Sequence, residues 1–288
     1  ELSSFQLELV TDTRGAISTI LNISPDHMDR YAGLQQYHAA KHRIFRGASQ
    51  VIYNRQDPLT NPLLSVAVKI CNFGLNHPDL AGYGLLDEDG ETWLAHGLKP
   101  LMPSAELAIK GRHNIANALA ALAMGQAAGL DMAAMLQTLK TFKGLPHRCE
   151  YVATLDGVTY IDDSKGTNIG ATVAALDGFG ETDRANLILI AGGQGKGQNF
   201  NELKAPLSKF VKLLALFGED AQPIAETLAG TTQIETLDSL QSAVESARAA
   251  AQPGDIVLLS PACASFDMFS GFEQRGRCFQ QAVTAVAA

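Results

Sequence analysis

Short apolar runs separated by polar, glycine-marked breaks occupy this chain from end to end, and the spacing within each run predicts its element. Ala16 to Ile23 is apolar and β-branched, which predicts a buried strand. A polar loop, Ser24–Pro25–Asp26–His27–Met28–Asp29–Arg30, follows it, and then a helix from about Leu34 to Arg46. Val51 to Tyr53 and Ile70 to Phe73 read as short strands. Tyr83 to Leu86 and Thr92 to Leu94 flank Asp87–Glu88–Asp89–Gly90 as the arms of a hairpin. Gly111–Arg112–His113–Asn114 opens an Ala-rich helix that runs to about Ala128 and stops at Gly129, and a second helix spans roughly Met132 to Thr141.

Lys143–Gly144–Leu145–Pro146 then interrupts the pattern, because Gly and Pro together end helices and mark connectors. Two domains are expected on either side of it, residues 1–144 and 145–288. In the second, apolar strands alternate with amphipathic helices: Gly157 to Ile161, Leu187 to Ala191, Lys212 to Phe217, Gln233 to Glu235 and Ile256 to Leu259. That alternation predicts an α/β fold with a mainly parallel sheet covered on both faces.

Composition narrows the function. The 288 residues suffice for two buried cores, and 46% apolar with 18% charged residues fits an ordinary globular protein. A net charge of −8 argues against a nucleic-acid partner, since phosphate backbones demand a basic face. No apolar run approaches the roughly 18 residues that span a bilayer. Cys71, Cys149, Cys263 and Cys278 are scattered without CxxC spacing, which suits reduced thiols in a cytoplasm better than disulfides or zinc. The chain opens on Glu1, inside what reads as an element, and is expected to be a piece of a longer protein.

The candidate chemistry lies where strands end. Thr159–Tyr160–Ile161 runs into Asp162–Asp163–Ser164–Lys165–Gly166–Thr167–Asn168, Leu187–Ala191 into Gly192–Gly193–Gln194–Gly195–Lys196–Gly197, and Ile256–Leu259 into Ser260–Pro261–Ala262–Cys263–Ala264–Ser265. Ligands of open parallel sheets bind outside the carboxyl ends of the strands, often at the next helix's amino end. Three polar tips on one sheet would build a site for an anion. The glycine-rich loop fits neither common nucleotide motif. A Walker A loop needs Gly and Ser or Thr where Ile190 and Gly197 stand, and G-x-G-x-x-G needs Gly at Gln198.

In this order and spacing, the stretches Glu1–Leu2–Ser3–Ser4–Phe5–Gln6–Leu7–Glu8, Asp26–His27–Met28–Asp29–Arg30–Tyr31, Gln36–Tyr37 leading to Lys41, Gly111 to Asn117, Gly144–Leu145–Pro146–His147–Arg148, Asp163 to Asn168 and Ser260 to Gly276 resemble the Mur ligases of peptidoglycan synthesis. Asp-Ser-Lys-Gly-Thr-Asn and Ser-Pro-Ala-Cys-Ala-Ser resemble the member that adds D-glutamate. The resemblance implies a central ATPase domain with a mixed sheet, followed by a Rossmann-like carboxyl-terminal domain. It implies ATP-driven amide formation between UDP-N-acetylmuramoyl-L-alanine and D-glutamate through an acyl phosphate, with Mg²⁺, by a cytoplasmic bacterial monomer. The family's amino-terminal UDP-sugar domain and Gly-Lys-Ser/Thr phosphate loop find no match, so the chain by itself is expected to be inactive. The alternatives are another Mur-type or folate-polyglutamating amide ligase, and a module that binds glutamate or nucleotide without chemistry.

The resemblance also implies roles. Glu1 and His27 face magnesium, and Lys41 does so as a carbamate; by themselves His27 reads as a solvated loop histidine and Lys41 as a helix-surface lysine. Asn117 touches adenine with Asn114 in support; alone, either suits a helix cap. Arg148, just past the connector beside His147, reaches the ATP phosphates, or forms an interdomain salt bridge. Asp163 and Lys165 contact ribose and phosphate, although an Asp at a strand end is also a common N-cap. Lys41, His27, Arg148 and Lys165 would act in catalysis. Thr167, Lys196, Ser265 and Phe272 map onto the D-glutamate pocket, where two carboxylates need a cation with hydroxyl and amide donors. Phe272 equally fits a core position. Asp162, Phe266 and Arg275 carry no assigned role.

Overall fold

The computed structural model describes residues 1–28, 30–63 and 68–285; Asp29, within the Asp26–Tyr31 stretch, lies outside the described residues. The chain divides into two compact units. One comprises Glu1–Ser24 with Arg30–Lys143, the other Pro25–Asp29 with Gly144–Ala288.

The first unit carries a sheet in the order β1 (Ile17–Ile20), β2 (Gln50–Asn54), β3 (Lys69–Phe73), β4 (Tyr83–Glu88), β5 (Glu91–His96) and β6 (Lys99–Pro103). β1 to β4 run parallel, and β4–β5–β6 form an antiparallel meander. Asp89–Gly90 closes the β4–β5 hairpin with both φ positive, at 51° and 81°, the conformation a two-residue turn needs to follow strand twist. The expected strand over Ala16–Ile23 is only four residues long. α2 (Leu34–His42) stops short of Arg46 because a 3₁₀ turn over Arg43–Phe45 tightens its end. Two further elements carry weak sequence patterns: β6, and α1 (Ser4–Leu9), which Ser3 and Gln6 start as a reciprocal capping box. α3 (Arg112–Ala127) lays Ala118, Leu119, Leu122 and Ala123 on a core with Ile52, Phe73, Tyr83 and Leu94. α4 (Met132–Thr141) packs on α3 where Gly125 leaves room; a Cβ there would lie 2.2 Å from the Met135 sulfur.

The second unit's sheet has the order β11 (Gln233–Leu237), β10 (Val211–Phe217), β9 (Leu187–Gly192), β12 (Ile256–Leu259), β8 (Val158–Asp162) and β7 (Glu150–Leu155). All neighbours are parallel except β7, an antiparallel edge strand whose mixed sequence conceals it. β9 is buried along its whole length, as a continuous apolar run in a doubly covered sheet should be. One face packs on α5 (Ile169–Phe179), α6 (Lys204–Phe210) and α7 (Ala221–Leu228). The other packs on α8 (Leu240–Ala250) and α9 (Phe272–Ala285). Among the described residues no helix is long and apolar enough to cross a membrane.

Candidate active site

β12 lies between β8 and β9, so the three polar strand tips are immediate neighbours at one sheet edge. The chain leaves β8 and β9 for helices on one face, and leaves β12 for α9 on the other. A crevice opens where successive connections diverge in this way, which is the usual ligand site of doubly wound sheets.

Hydrogen bonds join the tips to one another. Ser260 Oγ donates to Asp163 Oδ2 at 2.7 Å, and the Asp163 amide donates to the Leu259 carbonyl at 2.8 Å. The Ala262 amide donates to the Gly166 carbonyl at 2.9 Å, and Gln194 and Ala264 exchange two backbone bonds. Gly166 is required here, since a Cβ would lie 2.5 Å from Asp163 Oδ2. At Gly193, with φ 122°, a Cβ would meet the Ala264 carbonyl at 2.2 Å. These two glycines let the loops approach each other.

The structure brings most of the second unit's expected residues to this edge. Asp163 is buried, and burial pushes its carboxyl up to about 6, although bonds from Ser260 and the Cys149 amide pull the other way. Asp163 is not a helix cap. Asn168 is, accepting from the Ala171 amide at 2.9 Å to start α5. Lys165 places Nζ 4.3 Å from the centroid of the Phe272 ring. Phe272 is therefore half-buried over a cation rather than in the core, and its carbonyl accepts from Ser164 Oγ at 2.8 Å. Ser265 is buried and Thr167 half-buried.

Lys196 stands on a left-handed turn with φ 51°, and its Nζ lies 3.1 Å from Asp26 Oδ1. Asn168 Nδ2 donates to the other Asp26 oxygen at 3.2 Å. Burial works to raise the Asp26 pKa, but the charges of Lys196 and His27 outweigh it and hold the carboxyl below its ordinary value. His27 follows Asp26 with φ 56° and is partly exposed. His147 is buried, with Nδ1 2.7 Å from Asp162 Oδ2, whereas Arg148 is exposed and among the described residues forms no ion pair. His147, Glu150 and Asp162 lie close enough to share a metal, but Gln280 Nε2 already donates to both carboxylates, at 3.0 and 2.9 Å.

The first unit's candidates sit on separate elements. Glu1 is exposed ahead of α1, and Lys41 is half-buried on α2 with Nζ 5.7 Å from the Tyr37 ring. Asn114 and Asn117 share a face of α3, and neither caps it. Gly111 holds the N-cap position, Asn114 Nδ2 donates to the Lys110 carbonyl at 2.8 Å, and Asn117 Nδ2 to Asn114 Oδ1 at 3.4 Å. The capping alternative is thereby corrected.

Two residues left without a role organise the edge. Arg275 is fully buried and donates to Ser164 Oγ, the Ser164 carbonyl and the Cys263 carbonyl at 3.0, 2.8 and 3.1 Å. Burial lowers its pKa to about 10, which leaves it charged at neutral pH. Asp162, also fully buried, accepts from the Ser164 amide at 2.9 Å. A charged residue inside an amphipathic helix reads as surface, so the local sequence carries no signal of Arg275's burial. Cys263 is buried too, its thiol pushed up to about 12 by burial, which makes it inert at neutral pH.

Comparison with known proteins places this geometry. Residues 1–125 match the family model of the Mur ligase middle domain, and residues 147–263 that of the Mur ligase, glutamate ligase domain. The chain is 54% identical over 288 residues to a UDP-N-acetylmuramoylalanine--D-glutamate ligase of Pseudomonas fluorescens, covering 100% of this chain and 64% of that protein. It is 53% identical to the ligase of the same name from Acinetobacter baylyi, covering 99% of this chain and 65% of the relative. It therefore spans just under two thirds of the length of these curated relatives. Among solved structures, a pseudomurein peptide ligase type C from Methanothermus fervidus superposes with a TM-score of 0.72 at 15% identity, over 99% of this chain and 66% of that one. MurF ligase from Thermotoga maritima in complex with ADP gives 0.70 at 15% identity, with the same coverage. These two likenesses are of fold.

Proposed function

Since this chain belongs to the Mur ligase family, we propose that the complete protein joins D-glutamate to UDP-N-acetylmuramoyl-L-alanine at the expense of ATP, as a monomer in the bacterial cytoplasm. The observation that carries the reading is the adjacency of the β8, β12 and β9 tips, where Lys196, Thr167 and Ser265 lie on loops bonded to one another. A cation among hydroxyl donors suits a substrate with two carboxylates.

In the reaction proposed, a carboxylate oxygen of the alanyl group attacks the γ-phosphorus of ATP. The bond to ADP breaks, and an acyl phosphate forms. The amine of D-glutamate then adds to the acyl carbon, loses a proton, and phosphate leaves with its bonding electron pair. Lys196, Thr167, Ser265 and Phe272 hold the amino acid. Asp163 and Lys165 take the ribose and phosphate region, Asn114 and Asn117 the adenine, and Arg148 the phosphates.

Negative charge builds on the transferring phosphoryl group, so cations supply most of the stabilisation. Glu1, His27 and a carbamylated Lys41 would hold Mg²⁺; the carboxylate and carbamate oxygens suit a hard cation. The metal's contribution when bound is neutralisation of phosphate charge. His27 and Lys41 are each partly exposed. The test is phosphate release by the complete protein with ATP and the UDP-sugar peptide, with D- and L-glutamate compared. D-glutamate should support turnover at least about a hundred-fold better, because the wrong enantiomer leaves polar groups of the site unpaired. Equal rates, or turnover only with folates, would overturn the reading.

A further inference from the structure

The turn that carries Lys196 is built from residues with little intrinsic stiffness. Gly195 and Gly197 flank it, and both Lys196 and Gly197 have positive φ, at 51° and 68°. A lysine on such a turn samples many positions unless something anchors the backbone. Two side chains do: Asp220 Oδ2 accepts from the Gly195 amide at 2.7 Å, and Gln198 alone of the two also reaches the other strand tips. Gln198 folds back so that its Nε2 donates to the Gly195 carbonyl and the Ala262 carbonyl, each at 3.0 Å. Its Oε1 accepts from the Ile169 amide at 3.1 Å, and its own backbone amide donates to the Gly195 carbonyl at 3.0 Å.

Each partner belongs to a different strand tip. Gly195 precedes Lys196. Ile169 opens α5, two residues after Thr167. Ala262 lies three residues before Ser265, in a left-handed conformation with φ 58°. The two ends of a single carboxamide, donor and acceptor, thus connect the three loops that carry the proposed amino-acid contacts. Glutamate has the same shape but would turn an acceptor oxygen toward two carbonyls, and methionine offers neither end.

We propose that Gln198 is a positioning residue for the amino-acid substrate: it sets Lys196 at a fixed distance from Thr167 and Ser265, so that the three act together on one dicarboxylate. The proposal rests on the assignment above of Lys196, Thr167 and Ser265 to that substrate. A displacement of about 1 Å in a positioned group costs on the order of a hundred-fold in rate, so a loosened turn should register mainly in the use of D-glutamate.

The experiment measures steady-state kinetics of the complete protein, varying D-glutamate and ATP separately, for Gln198→Glu, Gln198→Met and Lys196→Ala. Both Gln198 variants should raise the KM for D-glutamate about ten-fold and leave the KM for ATP within about two-fold. KM does not depend on the amount of folded enzyme, so partial misfolding lowers the apparent kcat without obscuring the result. If both Gln198 variants keep the D-glutamate KM within about two-fold while Lys196→Ala raises it, the positioning role is wrong and the amino-acid site stands. An equal rise for D-glutamate and ATP also overturns the positioning role, since it marks a general loosening of the edge. If Lys196→Ala leaves the D-glutamate KM unchanged, the underlying site assignment itself fails.

Discussion

The two units use polar residues in opposite ways. At the second unit's sheet edge the polar groups are internal: Asp162, Asp163, Ser164, Ser260, Ser265 and Arg275 are all buried, and most are bonded across loops. In the first unit the candidates Glu1 and Asn117 are exposed and Lys41 and Asn114 half-buried. A buried polar group that loses its partner costs the whole desolvation of what remains, whereas an exposed one turns to water. Function and stability should therefore be coupled in the second unit and separable in the first.

The largest effect should come from Arg275. Arg275→Met keeps the stem but leaves the Ser164 and Cys263 carbonyls, both at buried residues, without their donor. A loss of roughly 3 kcal/mol is expected, read by urea denaturation. A loss under about 0.5 kcal/mol, the range of surface substitutions, would break the comparison.

Asp163 sharpens it through pH. Its carboxyl is raised from 3.8 to about 6 by burial. A group raised in the folded state stabilises fully below its unfolded pKa, and that contribution is lost as pH rises through the folded value. Stability relative to Asp163→Asn should therefore fall between about pH 4 and 6, by up to about 3 kcal/mol, and stay level above pH 7. Thermal melts of both proteins across that range check the slope. Asp26, held below its ordinary value, acts in the opposite sense and only at lower pH, as the pH falls through its folded pKa.

Much of the second unit was legible because its strands are unbroken apolar runs that end in small polar residues, as at Leu259–Ser260 and Ile161–Asp162. Those junctions mark the edge in the sequence itself. The strand order was not legible, since nothing local in Ile256–Leu259 says that it inserts between β8 and β9. Arg275 was hidden for a related reason: its burial depends on carbonyls about 12 and 111 residues away in sequence, beyond any periodic pattern. Asp163 and Asn168 both suit a cap, and only the turn through Gly166 decides for Asn168. β7 was missed because Glu150–Leu155 lies at an edge, where one side meets solvent and the apolar signal thins. In the first unit, Lys41 and Asn117 look like ordinary helix residues, and their local structure leaves them looking so. Their proposed roles rest on matched motifs.

The central claim proposed is that Thr167, Ser265 and Lys196, at the tips of β8, β12 and β9, would hold the amino-acid substrate while Asn117 on α3 of the first unit would serve the nucleotide. The most direct measurement is the KM for D-glutamate and for ATP, taken in parallel on Lys196→Ala and Asn117→Ala of the complete protein. The account predicts that Lys196→Ala raises the D-glutamate KM at least about ten-fold and leaves ATP nearly unchanged, with the reverse for Asn117→Ala. A Lys196→Ala variant that loses ATP and keeps D-glutamate would contradict it.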